Sequence, residues 1–284
     1  MLVDKPAGVT SHDVVLQVRR KVGIRAAGHT GTLDPFATGL LVVLIGRATR
    51  LARFVEAQAK TYLATARLGV RTATDDLTGR VVGLPDSGGM PPEASVREAL
   101  AGFLGAQLQQ PPQYSAKRVA GERSYQKARR GETVDLADVS VTIHRIELVA
   151  YEPPALSFRA TVSAGTYLRA IARDLGDRLG IGAHLTSLRR EAIGSLRVDD
   201  AVSLHEVTPS VVLPVARVLR DMPRVDLDDA ARRDVIHGRA VVDSRTAGKR
   251  GSGEAVALLG DGEIIAIGRA DDGWLRPTVV LDPH

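Results

Sequence analysis

The stretch Gly28-His-Thr-Gly-Thr-Leu-Asp-Pro-Phe-Ala-Thr-Gly39 lies directly before an apolar run, Leu40 to Ile45, that has the length of a buried strand. Its Gly, Thr and Pro content predicts a loop. Asp34 precedes a proline, whose ring disfavours helical backbone and pushes Asp34 toward an extended geometry. Gly31 and Gly39 permit tight backbone paths on both sides. The sequence therefore predicts one carboxylate held at the mouth of a sheet.

A carboxylate held in this way suits chemistry at the C1′ atom of a sugar. It can attack that carbon, or it can stabilise the positive charge that develops there, as one carboxylate does in glycosidases. On its own, however, an Asp-Pro pair in a Gly- and Thr-rich loop is usually only a turn. The pattern is also not a phosphate-binding loop, because it lacks the Gly-Lys-Ser/Thr ending.

The rest of the chain alternates helical and strand patterns, and its last 60 or so residues change to short strands with one short helix. The first helix begins near Ser11, with Ser11 or Asp13 as its cap. Further helices are predicted over 47–57, 93–104, 167–179, 209–223 and 228–237. Strands are predicted over 40–45, 61–68, 81–84, 139–151, 156–162, 256–259, 264–267 and 279–281, with a hairpin turn at Gly260-Asp-Gly262.

Composition limits the class of protein. With 284 residues, two unequal domains are expected. The 44% hydrophobic and 25% charged residues are ordinary for a soluble globular protein. There are no cysteines, which excludes disulfides and thiolate metal sites. The seven histidines show no ligand-like spacing, so no metal site is predicted. No apolar run approaches the roughly 18 residues of a membrane span, and no signal peptide is recognisable, so we expect a cytoplasmic protein.

Positive charge is concentrated between residues 117 and 133, although the net charge of the chain is only +5. Tyrosines lie in and beside this segment, at Tyr114 and Tyr125. Cations mixed with aromatic rings suit a phosphate backbone with exposed bases. A solvated helix face explains the charge pattern equally well. The basic residues of this segment are Lys117, Arg118, Arg123, Lys127, Arg129 and Arg130.

The stretch from Gly28 to Gly39 resembles the catalytic motif of the TruB family of tRNA pseudouridine synthases. Five further short motifs resemble that family in the same order along residues 1–200, and six motifs in register are far more specific than one. They are Lys5-Pro6-x-Gly8-x-Thr10-Ser11, Lys60-x-Tyr62, Arg71-Thr72-x-Thr74-x-Asp76-x-x-Gly79, Gly165-Thr166-Tyr167-Leu168-Arg169 and Leu188-Arg189-Arg190.

The resemblance implies an α+β fold: a mixed, mainly antiparallel sheet flanked by helices, with a small C-terminal β-rich PUA domain. The expected catalytic domain is 1–222, with a basic RNA-binding insertion at about 105–138, followed by a PUA-like RNA-binding domain at 223–284. The implied reaction is the isomerisation of uridine 55 in the T-loop of tRNA to pseudouridine. It requires no cofactor. The implied partner is the T-arm of tRNA, bound by a monomer that needs no other protein.

The resemblance also implies roles for individual residues. Asp34 is the essential carboxylate, which either attacks C1′ or removes a proton from C2′; the two alternatives stay open. Tyr62 stacks on the target uracil, Arg169 pairs with Asp34, and His29 fills the space that the flipped base leaves. Without the family resemblance, Tyr62 would be interpreted as a core residue of its strand. Pocket or RNA contacts are implied for Asp76, Tyr167, Leu188, Lys117, Arg118, Arg129 and Arg130, and a buttress for the loop is implied for Lys5 and Pro6.

Two alternatives remain at this point. Another class of pseudouridine synthase would act on ribosomal RNA or on another tRNA loop, but those classes typically place an arginine immediately before the Leu-Asp or Thr-Asp pair, where this chain has Thr32 before Leu33. An RNA-folding chaperone would use the same basic insertion and PUA domain without chemistry. The intact set of Asp34, Tyr62 and Arg169 favours an enzyme.

Overall fold

The computed structural model describes residues 1–83, 89–114, 118–119, 122–124, 127, 130, 132, 136–243 and 253–281, with backbone alone for 118–119 and 122–123. The described residues form a ten-stranded sheet, a five-stranded sheet and two small two-stranded ribbons, together with six α-helices whose bounds are defined. The helices are α1 (Ser11–Val22), α2 (Ala52–Glu56), α3 (Glu93–Ala101), α4 (Leu168–Arg178), α5 (Val215–Val218) and α6 (Asp229–Ile236). Short 3-10 helices cover Gly46–Leu51, Val198–Asp200 and Pro209–Val211.

The first fourteen strands along the chain are β1 (Leu2–Lys5), β2 (Ala27–His29), β3 (Thr38–Ile45), β4 (Lys60–Leu68), β5 (Arg71–Thr72), β6 (Val81–Gly83), β7 (Gly105–Gln109), β8 (Arg118–Val119), β9 (Glu122–Arg123), β10 (Val139–Glu152), β11 (Ala155–Val162), β12 (Ala183–Ile193), β13 (Leu196–Arg197) and β14 (Val202–Ser203).

Ten of these strands form the large sheet, in the order β14-β1-β3-β12-β4-β11-β10-β7, with β2 beside β3 and β13 beside β12. Its pairs are antiparallel except β1 with β14 and β3 with β12. β5 with β6 and β8 with β9 form two separate small ribbons. The predicted mixed, mainly antiparallel α+β architecture is confirmed.

Strand β3 is buried on both faces, which explains its unbroken apolar run. Leu40, Val42 and Leu44 face one core cluster, whereas Leu41 and Val43 face another, formed with helix α1. The loop that precedes β3 and contains Asp34 is therefore anchored to a strand that is buried on both faces.

Strand β4 shows the opposite pattern, with alternate residues buried. Tyr62, Ala64, Ala66 and Leu68 face a core filled by helices α3 and α4. On the other face, threonines bond across the strands, as Thr61 does with a hydroxyl of β11. Tyr62 thus lies on the helix-covered face of the sheet.

A second sheet contains the C-terminal strands in the order β15-β17-β18-β19-β16. These strands are β15 (Arg224–Asp226), β16 (Val241–Val242), β17 (Ala255–Gly260), β18 (Glu263–Asp271) and β19 (Trp274–Val280). The predicted hairpin turn is confirmed, because Asp261 and Gly262 both have positive φ, at 52° and 79°. Ala257 and Ile267 of this sheet share a core cluster with Leu40 and Val42 of the large sheet.

Several local predictions require correction. Thr10, not Ser11, caps helix α1, and it forms a capping box with Asp13. Ser11 instead turns inward and bonds the backbone of Leu33. The predicted helix over 209–223 is wrong, since only a 3-10 turn and the four-residue α5 form there. The structure also has a central strand, β12, that the pattern did not predict.

Candidate active site

The loop from Gly31 to Gly39 is fastened by the N-terminal segment of the chain. The hydroxyl of Ser11 donates to the carbonyl of Leu33 and accepts from its amide, at 3.2 and 2.9 Å. The buried Lys5 ammonium donates to the carbonyls of Pro6 and Pro35, at 2.9 and 3.3 Å. The two residues that flank Asp34 are therefore held from one side, which is where the buttress was expected.

Asp34 forms a two-pronged ion pair with Arg169, at the start of helix α4. The distance from Arg169 Nε to Asp34 Oδ2 is 2.9 Å, and Nη2 donates to Oδ1 at 3.3 Å. The arginine side chain is 7% exposed, whereas that of Asp34 is 33% exposed. Burial raises the pKa of Asp34 above the usual value for an aspartate, and the charge of Arg169 opposes that rise. The pair thus presents a carboxylate that retains access to a ligand.

A second carboxylate, Asp76, fixes Arg169 from the opposite side. Its Oδ2 lies 3.4 Å from Arg169 Nη1. Its other oxygen accepts from the hydroxyls of Thr74 and Thr78, at 2.7 and 2.6 Å, and from the amide of Thr78 at 2.9 Å. Because Asp76 is fully hydrogen-bonded, it acts as a fixed support for the guanidinium.

A cavity of about 390 Å³ opens in front of Asp34. Tyr62, Tyr167, Leu188 and Arg169 line it together with Asp34. Ligand sites of this size typically have apolar walls and a few polar groups that orient the ligand. The structure thus brings together five of the residues that the sequence had singled out, three of them apolar or aromatic.

The hydroxyl of Tyr62 makes no hydrogen bond to any residue that the structure describes. Its ring is 8% exposed and packs in the same core as Ala64. The interpretation as a core residue is therefore partly right, yet the same ring forms a wall of the cavity. A buried phenol usually has a polar partner. Because the Tyr62 hydroxyl has none among the described residues, it is available to hydrogen-bond a ligand in the cavity.

Two buried cations also line the cavity, and both lie in the quoted motifs although the sequence assigned them no role. Arg190 is 1% exposed, and it donates from Nε to the carbonyl of Leu40 at 2.7 Å and from Nη2 to that of Gly31 at 3.1 Å. Arg190 therefore holds the loop from Gly31 to Gly39 near both of its ends. A Cβ on Gly39 would lie 2.3 Å from the carbonyl oxygen of Arg190, so this close approach requires glycine, which also has φ +102°.

The second of these cations is Lys60, at the start of β4. Its Nζ donates to the carbonyls of Glu56 and Gln58. Burial, and then the nearby Arg190 charge, lower the pKa of Lys60 from 10.5 to about 8. The folded protein therefore releases this proton more easily than the unfolded chain does.

Lys60 gives a prediction about stability. Between about pH 8 and the ordinary lysine pKa, the unfolded chain binds more protons at this site than the folded one, so the Lys60 contribution to the free energy of unfolding rises with pH. Urea unfolding of wild type and Lys60→Met is compared at neutral pH and at about pH 9. Wild type should gain stability relative to Lys60→Met as pH rises. A constant difference would show that Lys60 titrates normally in the fold.

His29 lies on β2, at the start of the motif, and does not line the cavity. Its Nδ1 is buried and has no hydrogen-bond partner among the described residues. Burial, followed by the charge of Arg190, lowers the pKa of His29. The imidazole is therefore neutral near pH 7 and unsuited to pair with an anion there.

The basic segment lies mostly beyond the described residues. Lys117, Arg129 and the side chain of Arg118 fall outside them. Arg130 is described, and it forms an exposed ion pair with Glu132 at 2.7 Å. The RNA contacts expected for these residues stay predictions.

Among the residues that the structure describes, no group of three or more His, Cys, Asp or Glu side chains could hold a metal ion. None of the helices in this part of the chain combines the length and the apolar composition needed to cross a membrane.

Comparisons with known proteins agree with this site. Residues 19–168 match the family model described as "TruB family pseudouridylate synthase (N terminal domain)", and residues 169–222 match "tRNA pseudouridylate synthase B C-terminal domain". The chain is 41% identical to a tRNA pseudouridine synthase B of Arthrobacter sp. (strain FB24), over 100% of this chain and 96% of the relative. A protein of the same name from Thermobifida fusca is also 41% identical, over 99% of this chain and 97% of the relative.

Solved structures share the fold. The chain superposes with a TM-score of 0.76 on a protein of an H/ACA RNP bound to a substrate RNA containing 2′-deoxyuridine, at 24% identity, covering 99% of this chain and 85% of the other. An archaeal Nop10-Cbf5 complex gives the same TM-score and identity. With the family models spanning the site and full-length relatives at 41% identity, this chain belongs to the TruB family of pseudouridylate synthases.

Proposed function

We propose that this enzyme converts uridine 55 in the T-loop of tRNA to pseudouridine. The observation that carries the proposal is the Asp34 carboxylate, held by the buried Arg169 at the mouth of a cavity walled by Tyr62. The tRNA substrate is supported by the names of full-length relatives, which are tRNA pseudouridine synthases B.

The reaction breaks the N1–C1′ bond, turns the uracil, and joins C5 to C1′. A proton then leaves C5 and N1 gains one, so no atom is added to or lost from the RNA and no redox cofactor is needed. Asp34 either attacks C1′ directly or removes the C2′ proton to give a glycal. Both routes require an ionised carboxylate, which Arg169 favours.

The target base must leave its stack to reach a cavity of this kind. Tyr62 offers the face on which the uracil stacks, and Leu188 and Tyr167 shape the remaining walls. His29 is proposed to enter the space left in the T-loop, and its neutral ring is suited to stacking. Lys5 and Pro6 keep the catalytic loop in place from behind.

Tyr62 gives a prediction that separates stacking from proton transfer. Since its hydroxyl has no described protein partner, Tyr62→Phe should leave the fold and the RNA dissociation constant nearly unchanged. We also propose that the hydroxyl helps the final loss of the C5 proton, so its removal should lower the single-turnover rate constant by about 10²-fold. Tyr62→Leu should also weaken RNA binding. A Phe variant with the wild-type rate would limit Tyr62 to stacking.

The domain assignment is also proposed. Residues 1–222 form the catalytic domain, with a basic insertion at about 105–138 that grips the phosphate backbone, and residues 223–284 form a PUA-like RNA-binding domain. We propose that the enzyme acts in the cytoplasm as a monomer that binds tRNA without an obligatory protein partner. The C-terminal strands form a sheet of their own, which supports the division, although its core continues into that of the large sheet.

Mapping the modified position tests the proposal against another substrate class. Bulk RNA from cells that lack the enzyme is incubated with purified protein, and pseudouridine is mapped at single-nucleotide resolution. We expect new pseudouridine at position 55 of tRNAs. Modification confined to ribosomal RNA or to another tRNA loop would overturn the proposed substrate.

A further inference from the structure

A second arginine follows Arg169 by one helical turn on α4. Arg173 Nη1 lies 3.1 Å from Asp75 Oδ2, and the two side chains are only 20% and 17% exposed. Arg173 Nε also lies 2.8 Å from Asp174 Oδ1. Neither Arg173 nor Asp75 lines the cavity. The ion pair between them therefore takes no direct part in the reaction proposed for Asp34.

The backbone of Asp75 has an unusual conformation. Its φ is +58°, in the left-handed region that non-glycine residues rarely adopt. Strained backbone of this kind persists only where surrounding contacts determine it. The contacts of Asp75 include the ion pair with Arg173, a hydrogen bond from its amide to the carbonyl of Thr72 at 3.2 Å, and one from the amide of Leu185 to its own carbonyl at 3.0 Å. Asp76, the next residue, is the support of Arg169.

Arg169 and Arg173 also join the same two segments of the chain. Arg169 donates to the carbonyls of Thr74 and Tyr114, both at 3.0 Å. Arg173 bonds Asp75 and donates to the carbonyl of Gln110 at 2.9 Å. One helix face therefore fixes both the acidic loop around residues 74–76 and the segment 110–114.

We propose that the Asp75–Arg173 ion pair is a positioning device for the catalytic carboxylate. It holds the acidic loop in the conformation that sets Asp76 against Arg169, and Arg169 in turn orients Asp34. The chain of contacts is continuous: Arg173 with Asp75, Asp76 with Arg169, and Arg169 with Asp34. The inference rests on the proposed role of Asp34, and it makes Arg173 and Asp75 positioning residues that act from outside the cavity lining.

A purely stabilising ion pair predicts different behaviour. Such a pair would change the free energy of unfolding but not the rate of chemistry within the folded enzyme–RNA complex. The measured quantities are therefore the single-turnover rate constant with saturating enzyme, the RNA dissociation constant and the melting temperature. They are determined for Arg173→Gln, Asp75→Asn and the double variant. Asparagine keeps the shape of aspartate, and both residues tolerate the left-handed conformation.

Asp177→Asn is the matched control. Asp177 lies on the same helix and pairs with Arg71 at 2.6 Å, but both of these side chains are about half exposed, at 50% for Arg71 and 44% for Asp177. Removing this exposed pair should leave the rate constant unchanged.

We expect each single variant to lower the single-turnover rate constant by roughly 10-fold, as small displacements of reacting groups do. The dissociation constant should stay close to wild type. The double variant should be no slower than the slower single variant, because both changes remove the same interaction.

Wild-type rate constants in the folded single variants would overturn the proposal, as would losses that multiply in the double variant or that Asp177→Asn shares. All rates are measured on whichever uridine the wild-type enzyme modifies. A wrong uridine therefore overturns the proposed substrate while the comparison of variants still tests the ion pair.

Discussion

Asp34→Asn is expected to abolish pseudouridine formation while tRNA binding persists. The substitution keeps the shape of the side chain but removes its negative charge, which is required both for attack on C1′ and for removal of the C2′ proton. We expect the single-turnover rate constant to fall by about 10⁴-fold or more, a loss of the size seen when a central catalytic group is removed. The measurement is rapid-quench detection of pseudouridine with enzyme in excess over RNA.

The control for this variant is binding and folding. Asp34→Asn should keep the RNA dissociation constant near wild type, because the proposed binding depends on stacking against Tyr62 and on contacts to phosphates rather than on this carboxylate. A tRNA refolding assay with the same variant would reveal any RNA-folding activity that does not depend on chemistry. If Asp34→Asn turned over at a rate close to wild type, the assignment of Asp34 would be wrong.

Arg169→Met is expected to have the second largest effect. It leaves Asp34 and the buried Asp76 without their shared cation, and breaking a buried ion pair by removing one partner costs about 3 kcal/mol or more in stability. The rate constant should fall by roughly 10²-fold or more, since a preorganised charge at the reacting centre is lost. Arg169→Lys should recover little, because an ammonium cannot reproduce the forked contact.

The pH dependence of activity distinguishes the loss of the Arg169 charge beside Asp34 from a loss of stability. In the proposed reaction Asp34 must be ionised, so activity should decline as pH falls through the Asp34 pKa, which burial raises. Arg169 opposes that rise, so its removal should move the acid limb of the rate profile to higher pH. Arg178→Met, at the exposed end of the same helix, should leave the limb in place. An Arg169→Met profile superimposable on wild type would contradict the ion-pair role.

The sequence predicted the parts of the fold that depend on local signals. The apolar run of β3, the helical spacing in α4 and the Asp-Gly turn at 261–262 each follow from a few neighbouring residues. The ends of the helices were predicted less accurately than their existence. The capping role of Thr10 was missed because Ser11, an equally good cap by type, is drawn into the loop by Leu33.

Long-range partners account for what the sequence did not predict. Strand β12 lies between β3 and β4 at the centre of the sheet, yet charged residues such as Arg190 interrupt its apolar pattern. Arg190 is buried there because backbone carbonyls such as that of Leu40, 150 residues away in sequence, accept its hydrogen bonds. The pairing of Asp75 with Arg173 likewise spans 98 residues, and no local pattern reports it.

The most direct test of the central claim is incubation of the purified enzyme with an unmodified T-arm stem-loop, followed by position-specific detection of pseudouridine. We predict conversion of the single uridine that corresponds to position 55, with no metal or cofactor added, and none with Asp34→Asn. Absence of pseudouridine with the folded wild-type enzyme, or its formation at another position of the loop, would contradict the account.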